Sequence, residues 1–241
     1  MCLQTWSKDP RPSIEQMMTW LWEEGKYVIE GDSNVHNTNA KRFVHPLSFN
    51  IGMGGDIPMA SSPAMNEGRS GMEIVGVVNQ FPQLVERHRL SPVERAYIQI
   101  GGNLWTWHPY NPYTKNLDLL NNGIREIIKA YKTILDPNHI VIASLPFINP
   151  SLTVGKMPGD DYLPKKVRKD NEKINLNELF KAGNVLILKA CLEEGVQYLD
   201  IFLILEELWR RRGKSAWWDE VHYALEGQAL VGAAVRKLWG V

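Results

Sequence analysis

Hydrophobic and polar positions along this chain follow two periods in alternation. Short β-favouring runs stand at Tyr27–Glu30 and in "AYIQIGGN" (96–103), "HIVIASL" (139–145) and "VQYLDIF" (196–202), and each reads as a strand. Between and around them, apolar residues recur at helical spacing. Ser13 opens "SIEQMMTWLWEEG" behind Pro12, with Gln16 at capping-box distance and Gly25 as a stop, which predicts a helix over roughly 13–24. From Met72, "MEIVGVVNQFPQLVERH" predicts an amphipathic helix disturbed near Pro82. Further helices are expected over Leu117–Leu135, Asn175–Glu194 and Glu226–Trp239.

Two stretches carry neither period. Residues 34–71 are rich in Asn, Gly, Ser and Pro, and only "LSFNIG" suggests a short strand there. The segment from Pro146 to about Glu172 mixes Pro, Gly and charge and reads as a candidate lid. Loops of such length inside a domain are usually functional or mobile. Strands that alternate with long helices imply a parallel sheet covered on both faces, in three α/β/α layers. The expected organisation is one domain over 1–241, with 1–25 as an N-terminal helical extension.

Composition narrows the partners. Of 241 residues, 27 are Lys or Arg and 27 are Asp or Glu, so no net charge marks a surface for nucleic acid or an anionic membrane. Cys2 and Cys191 give no disulfide framework, and the histidines have no metal-ligand spacing. No stretch has a signal-peptide pattern or membrane-spanning length, so a soluble chain is expected, cytoplasmic if this is the whole protein.

The chemistry concentrates at strand ends. The first strand runs into Gly31-Asp32-Ser33, the second into Gly101-Gly102-Asn103, and "WWDEVH" near the end of the chain holds Asp219 and His222. Each piece alone has an ordinary reading: Gly, Asp and Ser make turns and helix caps, and Asp219 could cap the helix that follows. In open parallel sheets, however, sites form at the carboxyl ends of strands, where a small serine is exposed. Together with "NEGRSG" (66–71), the pieces stand in the chain order of the four sequence blocks of the SGNH (GDSL) hydrolases, and over residues 27–236 the chain resembles that family.

The resemblance implies a five-stranded parallel, flavodoxin-like sheet and a serine-dependent ester hydrolase. It implies Ser33 as nucleophile, His222 as general base and Asp219 as the carboxylate that orients the imidazole. The backbone N–H groups of Ser33 and Gly71 and the side-chain amide of Asn103 would form the oxyanion hole. No metal or organic cofactor is implied. The chain departs from the family where Leu104, not aspartate, follows the block-three asparagine.

Candidate substrate contacts flank these blocks: Asp32, His36, Leu104, Trp105, Trp107 and Trp218. Nine tryptophans are many for this length, and those beside the blocks suit sugar-stacking or acyl-pocket walls as well as they suit core packing. The expected substrate is a small-molecule or carbohydrate ester carrying a short acyl group, acetyl first. Two alternatives share the same residues: an acyltransferase that uses the same acyl-serine, and a non-catalytic carbohydrate-binding module on the same fold.

Overall fold

Val28, Ile29 and Glu30, apolar or enclosed on both sides of the pleat, form the centre of a strand that has no solvent face. In the computed structural model, which describes residues 27–31, 48–50, 74–90, 92–107, 111–154, 166 and 173–240, this strand is β1, Tyr27–Gly31, buried throughout. It is flanked by β2, Ser48–Asn50, and by β3, Arg95–Gln99. The sheet continues through β4, Ile140–Ala143, buried at every position, to β5, Gln197–Leu199. The order is β2-β1-β3-β4-β5, and all four pairings are parallel. Burial on both faces of β1, β3 and β4 explains why these runs read as largely hydrophobic stretches. The helix expected over 13–24 lies outside the described residues.

Helices α1 (Ile74–Leu90), α2 (Leu104–Trp107), α3 (Tyr113–Tyr131), α4 (Leu176–Glu194), α5 (Ile201–Arg212) and α6 (Leu225–Trp239) follow in chain order. Alternation along the strands assigns them to two layers. Glu30 of β1 accepts a hydrogen bond from the Tyr131 hydroxyl of α3, and α3 packs against both α1 and α4. On the other face Tyr27 meets the Trp239 ring of α6 with centroids 5.3 Å apart, and Arg95, its register partner, donates to the Trp239 carbonyl. Helix α6 packs in turn on α5. The three-layer α/β/α arrangement with a five-stranded parallel sheet is therefore the one the sequence implies.

Two elements differ from the sequence expectation. "VQYLDIF" is a strand only as far as Leu199, because Asp200 accepts a hydrogen bond from Leu203 N at 3.1 Å and caps a helix. Ile201, Phe202, Leu205 and Leu208 then form the buried stripe of α5, a period of helical spacing that the β-favouring start concealed. Helix α1 runs through Pro82 without interruption; proline there removes one backbone donor, and the flanking residues carry the helix on.

Candidate active site

Beyond β3 the chain must turn at once. Gly101 has φ +116°, and a Cβ built on it would lie 2.5 Å from Leu120 Cδ1, so both conformation and space call for glycine. The turn closes through Leu104 N donating to Gly101 O at 3.2 Å. Asn103 lies in it, half-buried. Its far side is fixed by buried Asn116 of α3, whose Nδ2 donates to Leu104 O at 3.3 Å and whose Oδ1 accepts from Asn111 at 3.0 Å.

The second cluster is a closed loop before α6. Trp217 and Tyr223 form an antiparallel bridge at its neck, and Trp218 N donates to His222 O at 2.8 Å. Inside it, Asp219 Oδ1 accepts from Val221 N at 2.7 Å and from His222 N at 2.8 Å. Its other oxygen, Oδ2, lies 2.6 Å from His222 Nδ1. Burial alone would raise the Asp219 pKa, but the hydrogen bonds from the His222 ring and from the two amides outweigh it and hold the carboxyl down at about 2. The carboxylate is thus an acceptor at any ordinary pH, so neutral His222 carries its proton on Nδ1 and its lone pair on Nε2. Such an imidazole can take a proton from a hydroxyl at Nε2 while the carboxylate stabilises the resulting cation.

The loop is tied down on two sides. Asn149 N donates to Glu220 O at 3.1 Å, Asn149 Nδ2 donates to the Glu220 carboxylate, and Lys214 Nζ pairs with the same carboxylate at 2.7 Å. Asn149 ends an extended segment after β4 that two asparagines of α4 clamp. Asn184 accepts from Leu145 N at 2.7 Å and donates to Leu145 O at 3.3 Å; Asn177 accepts from Ile148 N at 3.1 Å and donates to Ile148 O at 2.9 Å. On the other side, the Tyr223 hydroxyl donates to Gln99 Oε1 at 3.1 Å. Gln99 ends β3 and stands in register with Gly31, the last residue of β1.

Of the residues singled out in the sequence, Asp219 and His222 are brought into direct contact, and their loop is fastened to the end of the strand that leads to Asn103. Trp218, beside Asp219, is 52% exposed. Leu104 and Trp105 are buried, with Trp105 against Phe180 at 5.5 Å between centroids, the core-packing alternative for that tryptophan. Trp107 closes α2. Asp32, Ser33, His36 and Gly71 lie outside the described residues. Sequence reading missed Gln99, Tyr223 and the Asn149–Glu220 tie; a glutamine amid the apolar positions of β3 was the one signal available. Among the described residues no helix is long and apolar enough to cross a membrane.

No family model matches this chain, and no curated protein matches it. Solved structures do. An acetylxylan esterase from Geobacillus stearothermophilus is similar at TM-score 0.58 and 14% identity over 89% of this chain and 94% of that one. An α/β hydrolase enzyme from the metagenome of Lake Arreo, Spain, is similar at TM-score 0.53 and 12% identity, again over 89% and 94%. The likeness is one of fold, and the fold is the one that the resemblance to the SGNH hydrolases implies. Further structures of the acetylxylan esterase, with TM-scores of 0.55, 0.55 and 0.53, are of catalytic mutants in which a serine, an aspartate or a histidine is changed to alanine. In that enzyme the histidine stands three positions after the aspartate.

Proposed function

We propose that this protein is a serine-dependent ester hydrolase that removes short acyl groups, acetyl above all, from a carbohydrate. The observation that carries the reading is the Asp219–His222 pair, with Nδ1 2.6 Å from a carboxylate that two backbone amides also hold. A carboxylate so fixed dictates the tautomer a general base needs. The same three-residue spacing separates the aspartate and histidine whose replacement makes catalytic mutants of the acetylxylan esterase. The SGNH motif order supplies the nucleophile.

In this reading Ser33 Oγ attacks the ester carbonyl as its proton passes to His222 Nε2. The oxyanion takes hydrogen bonds from the Ser33 and Gly71 backbone N–H groups and from the Asn103 amide. Collapse expels the alcohol, which receives the proton from His222, and leaves an acyl-serine. Water, deprotonated by His222, then releases the acid and regenerates Ser33. The exposed Trp218 beside Asp219 offers an apolar face on which a sugar ring stacks.

The test is hydrolysis of p-nitrophenyl esters from acetate upward, and of acetylated xylo-oligosaccharides, by the intact protein and by Ser33→Ala. Turnover of the short esters and the acetylated sugars, abolished in the variant, is the expected result. Equal activity in both proteins sinks the nucleophile assignment, and turnover confined to long-chain esters sinks the acetyl one.

A further inference from the structure

The Tyr223–Gln99 contact lies outside the machinery just described, yet it joins the loop of His222 to the strand beside β1. Tyr223 directly follows His222 and forms the neck of the loop with Trp217. Its ring is 1% exposed and lies over Gly227 of α6, where a Cβ would come within 2.9 Å of Tyr223 Cβ and 3.0 Å of its Cδ2. The ring is therefore wedged on the helix side, and its hydroxyl is held on the strand side. Gln99, also 1% exposed, presents one oxygen to two phenols, Tyr223 at 3.1 Å and Tyr97 at 2.9 Å. Its Nε2 has no hydrogen-bond partner among the described residues.

That last feature argues against a purely stabilising role. A buried amide donor left without a partner is destabilising, and an apolar side chain at the end of β3 would avoid that loss. What the glutamine does provide is a fixed acceptor at the carboxyl end of the sheet, in register with Gly31. The next residue but one is Ser33. The Tyr223 hydroxyl thus ties the His222 loop to β3, the strand paired with the one that ends at Gly31.

We infer that Gln99, acting through Tyr223, is a positioning residue for His222, fixing the imidazole of the Asp219–His222 pair relative to the end of β1. Displacements of about 1 Å in such a group can cost about 100-fold in rate, so a single buried hydrogen bond at the neck of the loop has leverage on turnover.

The kinetic part of the inference rests on the esterase reading; the structural part does not. Three variants separate them: Tyr223→Phe, Gln99→Met, and Tyr97→Phe, which removes a hydrogen bond to the same oxygen from a residue outside the loop. The first measurement is the His222 ring itself, read from imidazole proton–nitrogen correlation spectra, in which the Asp219 contact keeps the Nδ1–H tautomer in every variant. Tyr223→Phe and Gln99→Met should both shift and broaden the ring signals, and Tyr97→Phe should leave them as in the wild type. With p-nitrophenyl acetate, kcat should fall about tenfold in the first two, with KM nearly unchanged and the double variant no worse than either single one. If Tyr223→Phe keeps the wild-type ring signals, or if Tyr97→Phe disturbs them equally, the inference is overturned and Gln99 is only a core residue. If the wild-type protein hydrolyses no ester, the functional reading fails, and the ring signals still decide the positioning role.

Discussion

Asp219 Oδ2 stands 2.6 Å from His222 Nδ1, and the sister oxygen Oδ1 is held by the amides of Val221 and His222 within the same turn. Loop geometry alone thereby orients the carboxylate toward the ring. Asp219→Asn keeps the shape of this turn but offers an amide whose orientation can present a donor to Nδ1, favouring the wrong tautomer. In esterase assays kcat should fall on the order of 10³–10⁴ with KM little changed. A loss below tenfold would mean that His222 works without its partner.

The same carboxylate makes a prediction about acid stability. Its pKa is depressed from 3.8 to about 2, so the native state prefers the ionised form more strongly than the unfolded chain does. Its contribution to stability is full above about pH 4 and is lost as pH falls through the window from 3.8 to about 2. Denaturant midpoints of wild type and Asp219→Asn should converge as pH falls from 5 toward 2. Curves that stay parallel across that range would contradict the assignment.

Asp219 and His222 were legible because their spacing is local: three residues in one turn suffice to bring carboxylate and imidazole together. The central strands were legible for a similar reason, since β1, β3 and β4, buried on both faces, are written as short runs in which apolar residues predominate. Helix α5 was hidden because Ile201 and Phe202 favour strands, and only the Asp200 cap and the later stripe of Leu205 and Leu208 show the helical period. Gln99 and Tyr223 could not be paired from sequence, because 124 positions separate them. Long-range hydrogen bonds leave no periodic trace.

The asparagine clamp of α4 should be a stability element. Asn184 serves both backbone groups of Leu145, which is 1% exposed. Asn184→Leu would leave that N–H and C=O buried without their partners, at about 1–3 kcal/mol each. Urea denaturation should show a clear drop in midpoint with an unchanged slope. A midpoint within error of wild type would mean that water replaces the clamp.

Trp218 tests the substrate reading separately from the chemistry. Its ring is half exposed beside Asp219, and its backbone N–H, donating to His222 O at 2.8 Å, is independent of the side chain. Trp218→Ala should raise KM for acetylated oligosaccharides about tenfold, the equivalent of one stacking contact near 1.4 kcal/mol, and leave p-nitrophenyl acetate turnover nearly unchanged. Equal losses on both substrates would assign the ring to support of the loop instead.

On the opposite face of β1, Glu30 is 2% exposed and accepts the Tyr131 hydroxyl. Burial pushes its pKa from 4.5 up to about 8, more than the tyrosine hydrogen bond lowers it. The folded state therefore binds this proton more tightly than the unfolded chain. Stability from the neutral carboxyl is full below about pH 4.5, declines as the unfolded chain ionises, and is lost as pH rises through about 8. Glu30→Gln keeps size and polarity but cannot ionise. Its stability should lie flat between pH 5 and 9, where the wild-type curve falls, so the two should diverge by a few kcal/mol toward the alkaline end. Parallel curves would place the carboxyl in contact with a compensating charge, and the strand that ends at Gly31 would then be insensitive to base.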